Sequence, residues 1–419
     1  MPADLSPSGD LIAVLRRVRE AGHTTRADLG RDLGLRRGVV TQRVSALLDL
    51  GLVDEAVTRR SSGGRAPREL AFRRDAGFVL VADLGATTLV AGVADLSGAL
   101  VATRESPADV TDGPERVLEQ LESTWVDLVQ ESGVGRERIW GAGIGVPGPV
   151  EFATGRPISP PIMPGWDSYP VRERLATAFD VPVWVDNEVN LEALGESRIG
   201  LGRGVAEMIF VKMSVGIGSG VISRSVLHRG ANGAAGDIGH IAVVQDETAT
   251  CRCGNTGCLE AVAGGLSLVR TATERAALER SSVLGRMVDE GQSLAVDDIT
   301  SAAGSGDAVA VDLLTHSGRL VGDTLSTLVN FYNPGLLVLG GRLVQGNDVV
   351  LSTVRETVYG RSLPLATRNL VIARSELGPL GGLVGAAVMV VDELFSRTRF
   401  PLWSPQKSPH GHPEIANPR

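Results

Sequence analysis

The chain has little of what usually staples, anchors or spans. Of its 419 residues only three are cysteine, and lysine occurs twice, at Lys212 and Lys407, although lysine and arginine together number 41. Aromatic residues make up 4% of the sequence, so a large core has to be aliphatic. Three cysteines cannot build the disulfide framework of a small secreted domain. No apolar run approaches the roughly 20 residues that a bilayer requires, and the first residues lack the basic-then-apolar pattern of an export signal. These absences predict a cytoplasmic protein without membrane contact. The shortage of lysine beside arginine reads as genome composition rather than function.

A uniformly basic nucleic-acid binder is also excluded, because the formal net charge is −8. The distribution is uneven. Residues 1–75 carry fourteen arginines against ten acids, an excess of four, which leaves −12 for the rest. A mildly basic head on an acidic body suits a small nucleic-acid-binding domain on a body that stays off the polyanion. Hydrophobic content of 43% supplies core for two or three compact units at this length.

What is present is concentrated. Residues 236–260 read GDIGHIAVVQDETATCRCGNTGCLE and hold every cysteine, Cys251, Cys253 and Cys258, with His240 a short loop before them. Three thiolates and one imidazole make a closed tetrahedral set of the structural zinc type. With no position left for a metal-bound water, the ion should hold a loop rather than perform chemistry. Scattered free thiols are the alternative, a poor coincidence in a chain with no other cysteine.

Residues 9–75 read as a winged helix-turn-helix. Leu11, Ile12, Leu15 and Val18 share one helical face, and Thr25-Arg-Ala-Asp28 has the spacing that opens a second helix through Leu29 and Leu33. Gly34 supplies the turn. A third helix follows, with Val40, Val44, Leu47 and Leu48 inward and Arg37, Thr41, Gln42 and Arg43 on the other side. These are residue types that reach phosphates and base edges. The segment 58–68 adds Arg59, Arg60, Arg65 and Arg68 around glycines, as a basic wing. A merely solvated polar face is the competing reading; the joint pattern favours double-stranded DNA.

From Phe78 onward the pattern changes to short strands alternating with helices. A strand entering a glycine turn is expected over 78–87, further strands at 89–95, 99–104, 139–146 and 182–186, and a helix at about 114–131. Near Met208 the plan restarts with a strand, a glycine turn at 215–220 and another strand, which predicts two related α/β lobes with a cleft between them. Leu336-Leu-Val-Leu-Gly-Gly-Arg342 reads as a buried strand and turn. Residues 398–419 are rich in proline and polar residues and are expected to be a disordered tail.

Gly-Asp-Ile-Gly-His followed by Cys-Arg-Cys-Gly-Asn-Thr-Gly-Cys-Leu-Glu resembles the signature of the ROK family of repressors and sugar kinases, and the resemblance runs from about residue 5 to 395. It implies an actin-like, ribonuclease H-like body over 76–397, with lobes at about 78–186 plus a C-terminal helix and 187–380. Val185-Asp-Asn-Glu-Val-Asn190 resembles the family's Asn-Asp-Ala-Asn motif, in which the Asn binds sugar and the Asp takes a proton from a sugar hydroxyl. The resemblance therefore implies sugar contacts at Asn187, Glu188, Asp237, Glu260 and His240, the last through the ring nitrogen facing away from the metal. Asp83, Gly85 and Thr87 match the first phosphate loop, and Gly216 and Gly218 the second.

The departures are specific. Thr88 stands where the family's kinases commonly have lysine, Val215 replaces a threonine, and Glu188 replaces the catalytic Asp. Glutamate has nearly the same intrinsic pKa as aspartate, but its extra methylene moves the carboxylate by roughly 1 Å, a displacement that can cost about 10²-fold in rate. Glu188 is read as a degenerate base, which argues against ATP and magnesium as working cofactors. The expectation is a sugar-responsive repressor of carbohydrate genes, acting as a homodimer or tetramer on a DNA operator, with a monosaccharide or sugar-phosphate effector and structural zinc. The alternatives are a sugar kinase carrying a DNA-binding head and, more weakly, a zinc sensor.

Overall fold

The computed structural model describes residues 7–57 and 68–417. The head comprises α1 (Pro7–Ala21), β1 (His23–Thr25), α2 (Arg26–Leu33), α3 (Arg37–Asp49), β2 (Val53–Val57) and β3 (Arg68–Phe72). Its start and stop signals act locally. Thr25 Oγ1 accepts from the Asp28 N–H at 3.2 Å and donates to the Asp28 carboxylate at 2.7 Å, so α2 begins where the spacing predicts. Gly34, at φ 66°, ends it. Val40, Val44 and Leu47 of α3 turn inward onto Val14, Leu15, Val18 and Leu29, and the strands form a sheet in the order β1-β3-β2.

The body begins with β4 (Phe78–Leu84), β5 (Thr88–Asp95), β6 (Leu100–Pro107), α4 (Pro114–Ser132) and β7 (Ile139–Val146). It continues through a small hairpin, β8 (Val150–Glu151) and β9 (Arg156–Pro157), then α5 (Val171–Phe179) and β10 (Val183–Asn187). After α6 (Glu188–Arg198) come β11 (Met208–Met213), β12 (Ile217–Ser223), β13 (Val226–Leu227), α7 (Leu259–Ala263), α8 (Gly265–Ala276), α9 (Val283–Asp289), α10 (Val296–Gly304) and α11 (Ala308–Tyr332). The chain ends with β14 (Leu336–Gly340), α12 (Val349–Arg361), α13 (Pro364–Thr367), β15 (Val371–Arg374), α14 (Gly381–Leu394) and α15 (Phe400–Trp403).

The two five-stranded sheets have the same plan, β6-β5-β4-β7-β10 and β13-β12-β11-β14-β15. In each, the first three strands run antiparallel in a meander, and the fourth and fifth are added in parallel. The restart read at Met208 is thus a repeat of topology. β4 and β7 are buried at every residue, as expected of central strands covered on both faces.

Helices α6 and α14 cross between the lobes at backbone contact. A Cβ on Gly385 would lie 1.7 Å from the Leu191 carbonyl oxygen, and one on Gly195 2.5 Å from that of Gly381. No side chain fits at either position. The C-terminal end of α14 meets the head: Phe395 and Phe72 pack edge to face at 6.1 Å, and the Arg19 guanidinium lies 5.2 and 5.7 Å from their centroids. One apolar cluster therefore runs from Ile12 and Val18 through Leu191 and Leu194 of α6 to Val391.

The expectation of a disordered tail is corrected. Trp403 packs on Phe400, Trp140 and Phe395 at 5.1, 5.2 and 5.6 Å, and its Nε1 donates to the Leu394 carbonyl at 2.8 Å. Ile415 and Ala416 are buried, and the Gly411 N–H donates to the Asp180 carbonyl at 2.9 Å. The prolines broke the helical period, but the aromatic residues among them found a partner in β7. Among the described residues, no helix is long and apolar enough to cross a membrane.

Candidate functional site

The cleft between the lobes holds a cavity of about 430 Å³. Every cleft residue singled out in the sequence lines it: Asn187, Glu188, Asp237, His240 and Glu260, with Asp83, Gly85, Thr87, Gly216 and Gly218. Strand ends and the loops after them place these groups, so segments more than a hundred residues apart converge.

The cap of α6 is Asn187. Its Oδ1 accepts from the Val189 N–H at 2.8 Å, and its Nδ2 donates to the Gly148 carbonyl at 2.6 Å. One amide hydrogen of Nδ2 and further acceptor capacity on Oδ1 remain for a ligand. Buried Asp186 braces the same turn, accepting from Asn190 Nδ2 at 2.9 Å and Arg229 Nε at 2.7 Å. Glu260 Oε2 accepts from the Ile217 N–H at 3.1 Å, so one backbone donor of the second glycine turn is already engaged. Asp237 is exposed at the cleft edge, 4.0 Å from His240 Nε2.

His240 turns its other nitrogen to the cysteines. Nδ1 is 3.5 Å from Cys251 Sγ, Cys253 and Cys258 Sγ are 3.8 Å apart, and all four donor atoms lie within 4.8 Å of one another. Tetrahedral zinc at ordinary bond lengths needs sulfur–sulfur edges of about 3.8 Å and sulfur–nitrogen edges of about 3.6 Å. The donor set fits a metal ion. Burial and the two neighbouring thiols push the Cys258 thiol up to about 12, the expected state of crowded sulfurs that a cation would relieve.

The phosphate side contains residues that the sequence reading passed over. Lys212, on β11, donates to Glu188 Oε2 at 2.9 Å and to Glu192 Oε1 at 2.7 Å. Burial works against its charge, but Glu188, Glu192 and Asp83 outweigh that and hold its pKa well above the usual lysine range. Asp83 is driven the other way. Burial, with the repulsion of Glu188 and Glu192, raises its pKa well above the carboxylate range despite Lys212, and its Oδ1 is buried without a hydrogen-bond partner. Arg342, in the turn after β14, reaches across the cleft to Thr88 Oγ1 at 3.3 Å and pairs with Asp297 at 3.4 Å. The available signal for Lys212 was its rarity, a single lysine in the body of an arginine-rich chain before the tail.

On the head, Arg37, Thr41 and Gln42 are exposed on α3, as is the neighbouring Arg36. Arg43 is not presented with them: it is half-buried, and its Nε is enclosed without a partner. Arg68 is exposed on β3 but pairs with Glu55 at 3.2 Å. Arg59, Arg60 and Arg65 lie outside the described residues. Gly38 has open space around its Cβ position, and nothing in the structure explains it.

A model of the ROK family matches residues 79–393. Among relatives, a glucokinase of Halalkalibacterium halodurans is 30% identical over 74% of this chain and 93% of its own length. A putative xylose repressor of Caldicellulosiruptor sp. strain Rt8B.4 is 27% identical over 92% of this chain and 96% of its own. Among solved structures, a ROK family transcriptional regulator, a homologue of the E. coli Mlc protein, superposes with a TM-score of 0.82 at 23% identity, covering 96% of this chain and 98% of the other. That last likeness concerns the fold.

Proposed function

The chain belongs to the ROK family, and from that premise we propose that it is a sugar-responsive, DNA-binding transcriptional repressor of carbohydrate genes. The observation that carries this reading is the head. A helix-turn-helix with an exposed Arg37-Thr41-Gln42 face is joined to the family body through a shared apolar core. The glucokinase relative spans 74% of the chain, a share that the body alone would supply, whereas the xylose repressor relative spans 92%. In the proposal α3 enters the major groove, and two heads of a homodimer address a two-fold symmetric operator.

The effector is a neutral monosaccharide or its phosphate, held by Asn187, Glu188, Asp237, His240 and Glu260. Carboxylates suit a polyol because each accepts several hydroxyl hydrogens. His240, Cys251, Cys253 and Cys258 hold a structural zinc, which fixes the loop that presents His240 Nε2 to the cleft. Bound there, the ion supplies folding energy and orientation.

Helix α6 supports a route from sugar to DNA. Its first turn carries Glu188 beside the Asn187 cap, and its last residue, Arg198, pairs with Asp392 of α14 at 2.9 Å. Asp392 also faces Arg19 of the head at 3.7 Å. The Arg19–Asp392 pair is half-buried rather than exposed; the two pairs set the register of head on body, while the Phe72–Phe395 contact holds it. A sugar that shifts α6 releases operator only if it binds the two head positions with different affinity.

The test is operator binding by fluorescence anisotropy on DNA from the adjacent promoter, titrated with xylose, glucose and their phosphates. Affinity that a sugar lowers without ATP supports the proposal. Operator affinity unchanged after removal of residues 1–75 overturns the head's role, and turnover of a sugar with ATP at about 1 s⁻¹ or faster moves the reading to a kinase.

A further inference from the structure

A sugar kinase of this architecture needs two vacancies on the phosphate side: acidic oxygens free to take a magnesium ion, and turn N–H groups free to take phosphate oxygens. The chain's own side chains have entered both places. Lys212 is clamped between Glu188 and Glu192, with Asp83 the third acid around it. The Ile217 N–H of the second glycine turn donates to Glu260, and Arg342 spans the gap to the first turn at Thr88.

We propose that Lys212 is a built-in counter-ion that stands in place of a divalent cation and makes the cleft refuse magnesium nucleotide, leaving a site that reads sugar alone. Three geometric facts support it. An ammonium at 2.9 and 2.7 Å from two carboxylates takes the oxygens that would otherwise ligate a metal. A divalent ion brought to the same acids would meet that ammonium as a like charge within a buried volume, where repulsion is poorly screened. The third acid is enclosed as well: Asp83 Oδ1 is buried without a hydrogen-bond partner, and burial works against its charge. The donor set therefore does not fit a magnesium nucleotide. For Glu188 the same clamp has a second effect. One carboxylate oxygen is committed to Lys212, and the other remains an acceptor for a sugar hydroxyl. A bound sugar leaves the cleft chemically unchanged, and its occupancy follows sugar concentration whatever the nucleotide level.

This inference rests on the sugar-cleft part of the proposed function, and its test needs no DNA. Zinc-loaded full-length protein is titrated with Mn²⁺, followed by the loss of the free-ion paramagnetic resonance signal, and separately with Mg²⁺ and a non-hydrolysable ATP analogue in a calorimeter. Wild type is expected to bind neither in the submillimolar range. Lys212→Met leaves Glu188 and Glu192 without their cation, so it should bind one Mn²⁺ at least about ten-fold more tightly than wild type, by oxygen ligation. Its melting temperature should rise with Mn²⁺. Adding Glu192→Gln to Lys212→Met should weaken that binding again. Submillimolar Mn²⁺ or nucleotide binding by wild type overturns the inference, and so does a folded Lys212→Met that binds Mn²⁺ no better than wild type. If Lys212→Met folds only with Mn²⁺ present, the inference is supported; if it folds under neither condition, the wild-type titrations decide between support and rejection. The repressor reading fails separately, in the operator titration.

Discussion

The metal loop and the lysine cluster are two small constellations of ionisable groups at one cleft. They are built in opposite ways. His240, Cys251, Cys253 and Cys258 come from 19 consecutive residues, 240–258. Asp83, Glu188, Glu192 and Lys212 come from β4, α6 and β11, in both lobes. The first set has a chemistry of its own wherever the chain puts it, because three thiols and an imidazole can ligate a metal within one loop. The second exists only when the lobes are assembled, and its members are unremarkable apart. A locally built site thus tolerates movement of the lobes, whereas the assembled one reports their relation.

The largest effect should come from breaking the local site. Cys253→Ser, or prolonged chelation, should remove one zinc per chain and lower the melting temperature by about 10 °C, because metal binding is folding free energy for its loop. Metal analysis and calorimetry check this, and a metal-free protein with normal stability and sugar response would end the assignment. Breaking the assembled site comes next. Lys212→Met without added divalent cation should cost about 3–5 kcal/mol in denaturant unfolding, the usual result of leaving buried charge uncompensated. Neutralising its partners as well, with Glu188→Gln and Glu192→Gln, should recover most of that loss. A lone Lys212→Met as stable as wild type would show that the cluster is not held by matched charge.

The remaining predictions sharpen the same contrast with smaller effects. Arg37→Ala alters a locally encoded helix face and should weaken operator binding by about 1–3 kcal/mol, with a reduced salt slope if the contact is to phosphate. Arg43→Ala should do less, because Arg43 is half-buried; equal losses from the two would redraw the interface. Asn187→Ala should cost about 1 kcal/mol of stability through the lost cap, together with sugar response. Asp237→Ala, at an exposed position, should reduce the response alone. Least of all, Asp392→Asn should leave stability within about 1 kcal/mol of wild type while reducing the change in operator affinity on adding sugar. Unaltered coupling there would place the route elsewhere than α6.

Much of the site was legible in the chain alone, for identifiable reasons. The α2 cap needs only Thr25 and Asp28, three residues apart, and the metal loop only its own spacing. Alternating strands and glycine turns announced two related lobes, because period and turn chemistry are properties of short segments. That Arg43 is half-buried was not legible, because helical periodicity places a side chain on a face without saying how its aliphatic stem will lie. The tail was misread for a related reason. Composition describes the cost of ordering a segment but not the partner that offsets it, and Trp140 lies more than 250 residues before Trp403.

What the sequence determined by itself is therefore whatever a short stretch of chain can enforce: the head's helices, the thiol-imidazole set, the strand and turn pattern, and the identity of the residues offered to the cleft. Tertiary structure alone decided which of those residues meet. It brought Lys212 between two acids of α6, swung Arg342 across to Thr88, gave the Ile217 N–H to Glu260, and laid Phe395 against the head's Phe72. Electrostatic strength depends on separation and on exclusion of water, and neither quantity is defined for residues far apart in a chain until the lobes close around them.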